Sequence, residues 1–164
     1  MLLLASNANA QSRTGGNIEP RTRVSGMLVV QSSSRRSETS LFGGYCDPVV
    51  LTAGRRSRDY GTLPRWSRLY VGYGLFSPRG SIERVWKGTT WKLWLVGQPV
   101  DLTAFGTSDR ILPKYPPADG KDVVLREWSI VLVSPTPGTH RIRYRTADKD
   151  GVMDTTWIFK VRRN

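Results

Sequence analysis

The chain has 164 residues and carries 25 Lys and Arg against 13 Asp and Glu, a formal net charge of +12. That length fits one domain able to bury a core without cross-links. The single cysteine, Cys46, excludes an intramolecular disulfide and a cysteine-based zinc cluster, and no apolar run approaches the roughly 20 residues of a membrane-spanning helix. The charge predicts attraction to anionic polymers or surfaces, nucleic acid among them, and says nothing about fold.

Residues 1–10 begin with a short apolar stretch and end in Ala8-Asn9-Ala10. This pattern matches the close of a secretory signal peptide whose charged start is absent, and predicts a secreted or cell-envelope protein. Residues 11–40 are rich in Ser, Arg, Gly and Asn. Few apolar side chains are present to offset ordering entropy, so a disordered, flexible tail is expected, with a short strand at 27–31.

From residue 41 the punctuation changes. Asp47-Pro48 turns into a short strand at 49–52. Residues 53–67 read as a long surface loop carrying Arg55, Arg56, Arg58, Tyr60 and Trp66, a candidate binding cluster. Residues 68–76 alternate as a strand, with Leu69, Val71, Tyr73 and Leu75 on one face. Ser81 precedes one helical turn bearing Ile82, Val85 and Trp86.

Residues 90–96 are the clearest strand. Trp91, Leu93 and Leu95 share one face, while Lys92, Trp94 and Val96 share the other. Gly97-Gln98 marks a hairpin into a short strand, and 105–110 and 113–122 read as loops. Residues 125–134 are apolar on both faces, as in a central or covered strand. Residues 139–146 alternate His140, Ile142 and Tyr144 against Arg141, Arg143 and Arg145. After an Asp148–Gly151 turn, the last strand sets Trp157, Phe159 and Val161 inward.

Seven to eight short strands with almost no helix predict an all-β protein, an antiparallel β-sandwich over 41–163. The run Pro137-Gly-Thr-His-Arg-Ile-Arg-Tyr-Arg-Thr-Ala-Asp-Lys-Asp-Gly151, followed by Thr156-Trp-Ile-Phe-Lys-Val161, resembles the final hairpin of bacterial immunoglobulin-like domains. The resemblance covers residues 125–163 and implies an immunoglobulin-like sandwich. Residues 91–107 resemble a segment of secreted bacterial proteins, which implies a location but no ligand. The cysteine–tryptophan–cysteine signature of antibody domains is absent.

Chemistry-bearing patterns are sparse. The one histidine, His140, falls in the apolar register of a strand, where it is expected to be structural. Asp101, Asp109, Asp119, Asp122 and Glu127 show no paired spacing. Asp148-x-Asp150-Gly151 lacks the remaining oxygen ligands of a calcium loop and reads as a hairpin turn. No nucleophile, phosphate-loop or metal motif stands in context. The expectation is therefore a non-catalytic binding module with no cofactor and no metal.

Two surfaces are candidates for the ligand. Arg141, Arg143 and Arg145 recur about 6.5–7 Å apart on one strand face. Together with Lys160 and Arg162 on the next strand they form a candidate anion-binding face, suited to phosphate or carboxylate. Trp94, Trp66 and Tyr60 are candidates for stacking on a sugar ring. The expected partner is an anionic polymer, a polysaccharide or a protein, with nucleic acid as a further reading.

Overall fold

The computed structural model describes residues 17–32, 39–40, 55–63 and 68–163, with 39–40 and 55–63 as backbone. Among these residues the strands form two sheets. The first contains β1 (Arg23–Val24), β2 (Met27–Gln31), β3 (Thr39–Ser40), β5 (Arg68–Pro78), β8 (Thr107–Tyr115) and β9 (Lys121–Val133), in the order β1-β2-β9-β5-β3 with β8 also on β9. The second runs β4 (Arg55–Leu63), β11 (Gly151–Val161), β10 (Gly138–Asp148), β6 (Thr90–Leu95) and β7 (Gln98–Val100). Two short α-helices, α1 (Ile82–Lys87) and α2 (Leu102–Phe105), and a 3-10 turn at Pro116–Ala118 complete it. The protein is an all-β sandwich.

The alternation predicted for the second sheet is realised. On β10, His140, Ile142 and Tyr144 are buried, while Arg141 and Arg145 are exposed. On β11, Trp157, Phe159 and Val161 are buried. These side chains meet Val29, Leu69, Val71, Trp128, Ile130 and Leu132 of the first sheet in one continuous core. At one end the core is aromatic: Tyr144 lies 4.4 Å from Trp157 and 4.6 Å from Tyr73, centroid to centroid. There Trp86 of α1 stacks on Trp91 at 4.6 Å, which holds the helix against the sandwich. Strand β9 is central, flanked by β5 on one edge and by β2 and then β8 on the other. That position explains its apolar content on both faces.

Four expectations are corrected. The flexible tail does not hold for residues 17–26. Ile18, Val24, Met27 and Val29 are all essentially buried, and Ile18 bridges to Val100 at the edge of β7. The Ile18 N–H donates to the Pro99 carbonyl at 2.8 Å, and the Asp101 N–H donates to the Ile18 carbonyl at 2.9 Å. The segment therefore leaves the second sheet and joins the first, closing one side of the sandwich. Average composition hid this because single apolar residues sit between polar ones, each in its own slot.

Residues 55–63 form strand β4 rather than a loop, paired in parallel with β11. The pairing β3·β5 is parallel too, so the sheets are antiparallel except at these edges. Third, residues 107–115 form the edge strand β8 on β9. Its side chains are almost all exposed, so it carries little burial pattern. Fourth, Leu102, expected at the end of the short strand, and Phe105, expected in a loop, both lie in α2. Its cap is Asp101, whose Oδ1 accepts from the Thr103 and Ala104 N–H groups.

The one predicted helix is found, but Ser81 does not cap it through its side chain. Its hydroxyl donates to the Pro78 carbonyl at 3.0 Å and lies 2.7 Å from the Ser77 hydroxyl. The β6–β7 hairpin turns on Val96 (φ 51°) and Gly97 (φ 81°). Left-handed backbone at both positions matches the twist of the strands, and a β-branched residue there is strained. The strand expected at 49–52, Cys46 and Trp66 lie outside the described residues.

Candidate anion-binding face

The outer face of the second sheet is assembled by register. Cα partners across β10 and β6 are Arg143 with Trp94, Arg145 with Lys92, and Ala147 with Thr90. Across β10 and β11 they are Thr139 with Lys160, Arg141 with Ile158, Arg143 with Thr156, and Arg145 with Asp154. Partners in register share a face, so the three arginines, Lys92, Trp94 and Lys160 all lie on the outer side. Arg162 follows β11 and is exposed.

The arginine row is not uniform. Arg143 donates from Nε to Asp154 Oδ1 at 2.8 Å and from its Nη2 to Oδ2, a forked ion pair across the strands. The Asp154 carboxylate raises the Arg143 pKa further above its ordinary value. The same guanidinium lies 4.9 Å from the centre of the Trp94 ring. The idea of three equivalent cations is corrected on this point: Arg143 is committed to Asp154 and Trp94, whereas Arg141 and Arg145 project from either side of it. Trp94, taken as an open stacking platform, is half-buried with a cation over its ring.

Lys92 was not singled out from sequence, because it lies on a different strand from the arginines. Only the β6·β10 register places it opposite Arg145. In such pairs Cβ atoms stand roughly 4.5–5.5 Å apart, and like charges oppose each other at a cost. Neither cation is in an ion pair among the described residues. Lys92, Arg145, Thr90 and Ala147 line a recess of about 220 Å³ on this face. Its long cationic pair stands beside the small pair Thr90 and Ala147, which leaves the space.

The other polar groups are engaged structurally. His140, 5% exposed, stacks on Phe159 at 5.1 Å, and its Nε2 lies 2.7 Å from the Thr136 carbonyl oxygen. A carbonyl only accepts, so Nε2 is the donor. Asp109 takes a forked pair from Arg126 (2.7 and 2.8 Å), and Glu83 takes the third guanidinium nitrogen at 2.5 Å. That cluster ties α1 to β8 and β9 and holds both carboxyls below their ordinary pKa. Glu127 accepts from the Tyr70 hydroxyl at 2.7 Å, and Asp122 accepts from the Lys114 N–H at 3.0 Å. Asp119 ends the 3-10 turn with left-handed backbone. Asp148 Oδ1 accepts from the Asp150 and Gly151 N–H groups, the hydrogen bonding of a tight turn.

Of the loop cluster, Arg55, Arg56, Arg58 and Tyr60 lie on the backbone of β4, where Arg55 pairs with Asp154 and Arg56 with Thr155. Among the described residues no group of three or more His, Cys, Asp or Glu could hold a metal. No described helix is long and apolar enough to cross a membrane.

Fold and site together define an all-β sandwich with a cationic outer sheet face. No protein-family model matches the chain, and no curated protein matches it. Among solved structures, the chain is similar to a cysteine protease inhibitor from Entamoeba histolytica. That similarity has 15% identity and a TM-score of 0.34, over 66% of this chain and 96% of the inhibitor.

Proposed function

We propose that this chain is a non-catalytic binding module, secreted or held at the cell envelope, that grips an anionic partner with the outer face of its second sheet. The observation that carries the reading is the cross-strand pair Lys92 and Arg145, two cations set opposite each other without an ion-pair partner among the described residues. Holding like charges together is unfavourable until an anion sits between them. Arg141, Lys160 and Arg162 extend the same face, and the formal charge of +12 favours approach of anionic chains at long range. The leader-like residues 1–10 support export.

The test is binding of the full chain to dextran sulfate at rising ionic strength. Affinity is expected to fall steeply between about 50 and 200 mM salt, the range where contacts to polyanions are screened. Salt-independent binding, or no binding at low salt, would remove the reading. A sugar-stacking mode is less favoured because the Arg143 guanidinium lies over the Trp94 ring.

A further inference from the structure

A strand at the margin of a sheet turns the N–H and C=O of every second residue toward water. Among the described residues β8 pairs with β9 alone. Its register on β9 is unbroken from Thr107 with Trp128 to Leu112 with Val123, so residues 107–112 offer a regular ladder edge. By contrast, β7 is met by the Ile18 bridge, and β1 is only two residues long.

Proline and bulges blunt such edges. In β8 both come after Leu112: Pro113, then the register shift before Tyr115, with Lys114 between them at φ 48°. Residues 107–112 carry neither device. They are also held in place. Arg126 and Asp109 are ladder partners, and the Arg126 Nε and Nη2 donate to the two Asp109 carboxylate oxygens at 2.7 and 2.8 Å. The edge is pre-formed, so an incoming strand does not have to order it.

The side chains define what pairs there. Asp109 is neutralised by Arg126. Arg110 is exposed and in no ion pair among the described residues. Ile111 is 54% exposed, and Leu112, partly buried, shares the face of Arg110. Residues directly opposite in an antiparallel pair share a face and stand roughly 4.5–5.5 Å apart. The complement is an extended segment with a carboxylate opposite Arg110 and apolar side chains opposite Ile111 and Leu112. A second copy of this chain is disfavoured, because it brings a charge of +12 against +12.

We propose that β8 is a docking edge for an extended acidic and apolar segment of another protein, which adds to the first sheet as an antiparallel strand beside residues 107–112. The edge lies in the first sheet, and the proposal does not depend on the cationic face of the second.

The probe is the peptide acetyl-Thr-Val-Ile-Glu-Thr-Thr-Val-amide. Run antiparallel to β8, it sets Val opposite Leu112, Ile opposite Ile111 and Glu opposite Arg110. Titrated into the full chain, it is expected to shift backbone amides along Thr107–Leu112. Replacing its Glu by Lys is expected to weaken binding about two- to fivefold, and Arg110→Glu to reverse that preference. Ile111→Lys is expected to weaken the original probe by a similar factor, about two- to fivefold. N-methylation of one alternate set of probe residues is expected to abolish binding, while the other set tolerates it, because only one set faces β8. Arg110 and Ile111 both face water, so their variants keep the fold, and the N-methylated probes test the pairing on the unaltered protein. No shift along β8 at millimolar probe, the same response to both N-methylated sets, or a preference that Arg110→Glu leaves unchanged overturns the proposal. Concentration-dependent self-association through β8 without the probe also overturns it, and assigns the edge to a second copy.

Discussion

The Arg143 guanidinium lies over the Trp94 indole, 4.9 Å from the ring centre, and from that position reaches the Asp154 carboxylate. Three strands are joined by this one side chain, because Trp94 is on β6 and Asp154 on β11. A residue that reads as one of three surface cations is thus a clamp within the sheet.

Removing the clamp's carboxylate redistributes charge. Asp154→Asn is expected to release Arg143 and raise the affinity for dextran sulfate about two- to fivefold at low salt, by adding a cation to the face. The cost in stability is expected to be small, because Arg143 is 38% exposed and its ion pair is screened by solvent. Binding isotherms and urea unfolding on the same preparation check both effects. An unchanged affinity would mean that the ligand does not use this face.

The N-terminal segment is predicted to be part of the folding unit. Ile18→Ala removes a side chain with 0% exposure that links the edge of β7 to the core. A loss of about 2–4 kcal/mol is expected in chemical denaturation. Glu19→Ala, at an exposed neighbour, is expected to change stability by less than about 0.5 kcal/mol.

Two glycines separate close approach from open space. A Cβ at Gly74 would stand inside the van der Waals envelope of the Arg126 carbonyl oxygen, which is backbone and cannot swing aside. Gly74→Ala is expected to cost about 2–3 kcal/mol or more. At Gly80 a Cβ meets nothing within 4 Å, and Gly80→Ala is expected to be neutral or to stabilise by up to about 1 kcal/mol. Thermal melting of the two variants side by side reads the contrast.

Stability is predicted to fall at both ends of the pH scale. Hydrogen bonds from Arg126 lower the carboxyl pKa of Asp109 and Glu83, and the Thr103 hydroxyl lowers that of Asp101. A carboxyl with a depressed folded-state pKa contributes fully above its ordinary range, near pH 4–5, and the contribution is lost as pH falls through the folded value. Arg126→Met should therefore melt below wild type at pH 6, and the gap should narrow toward pH 3. In the alkaline direction, burial raises the pKa of the Tyr73 phenol. The unfolded chain then ionises first, so stability falls above about pH 10. Tyr73→Phe should flatten that alkaline limb, as followed by near-ultraviolet absorbance and melting temperature.

The sequence by itself determined β6, β10 and β11 of the second sheet and the orientation of their side chains. From Trp91 onward, large apolar groups recur every two residues, and one register then satisfies burial on β6, β10 and β11. The same period set Arg141, Arg143 and Arg145 outward and His140 inward. Tertiary structure decided what a period cannot encode. Ile18 reads as an isolated apolar residue in a polar run, and only contact with β7 makes it core. Residues 55–63 and 107–115 carry no clean alternation, so their pairing depends on partners far along the chain. The candidate site was half legible for the same reason. Arg145 shows its face within its own strand, but Lys92 and Thr90 join it only through inter-strand register, and Arg143 drops out only because Asp154 and Trp94 reach it across two strands.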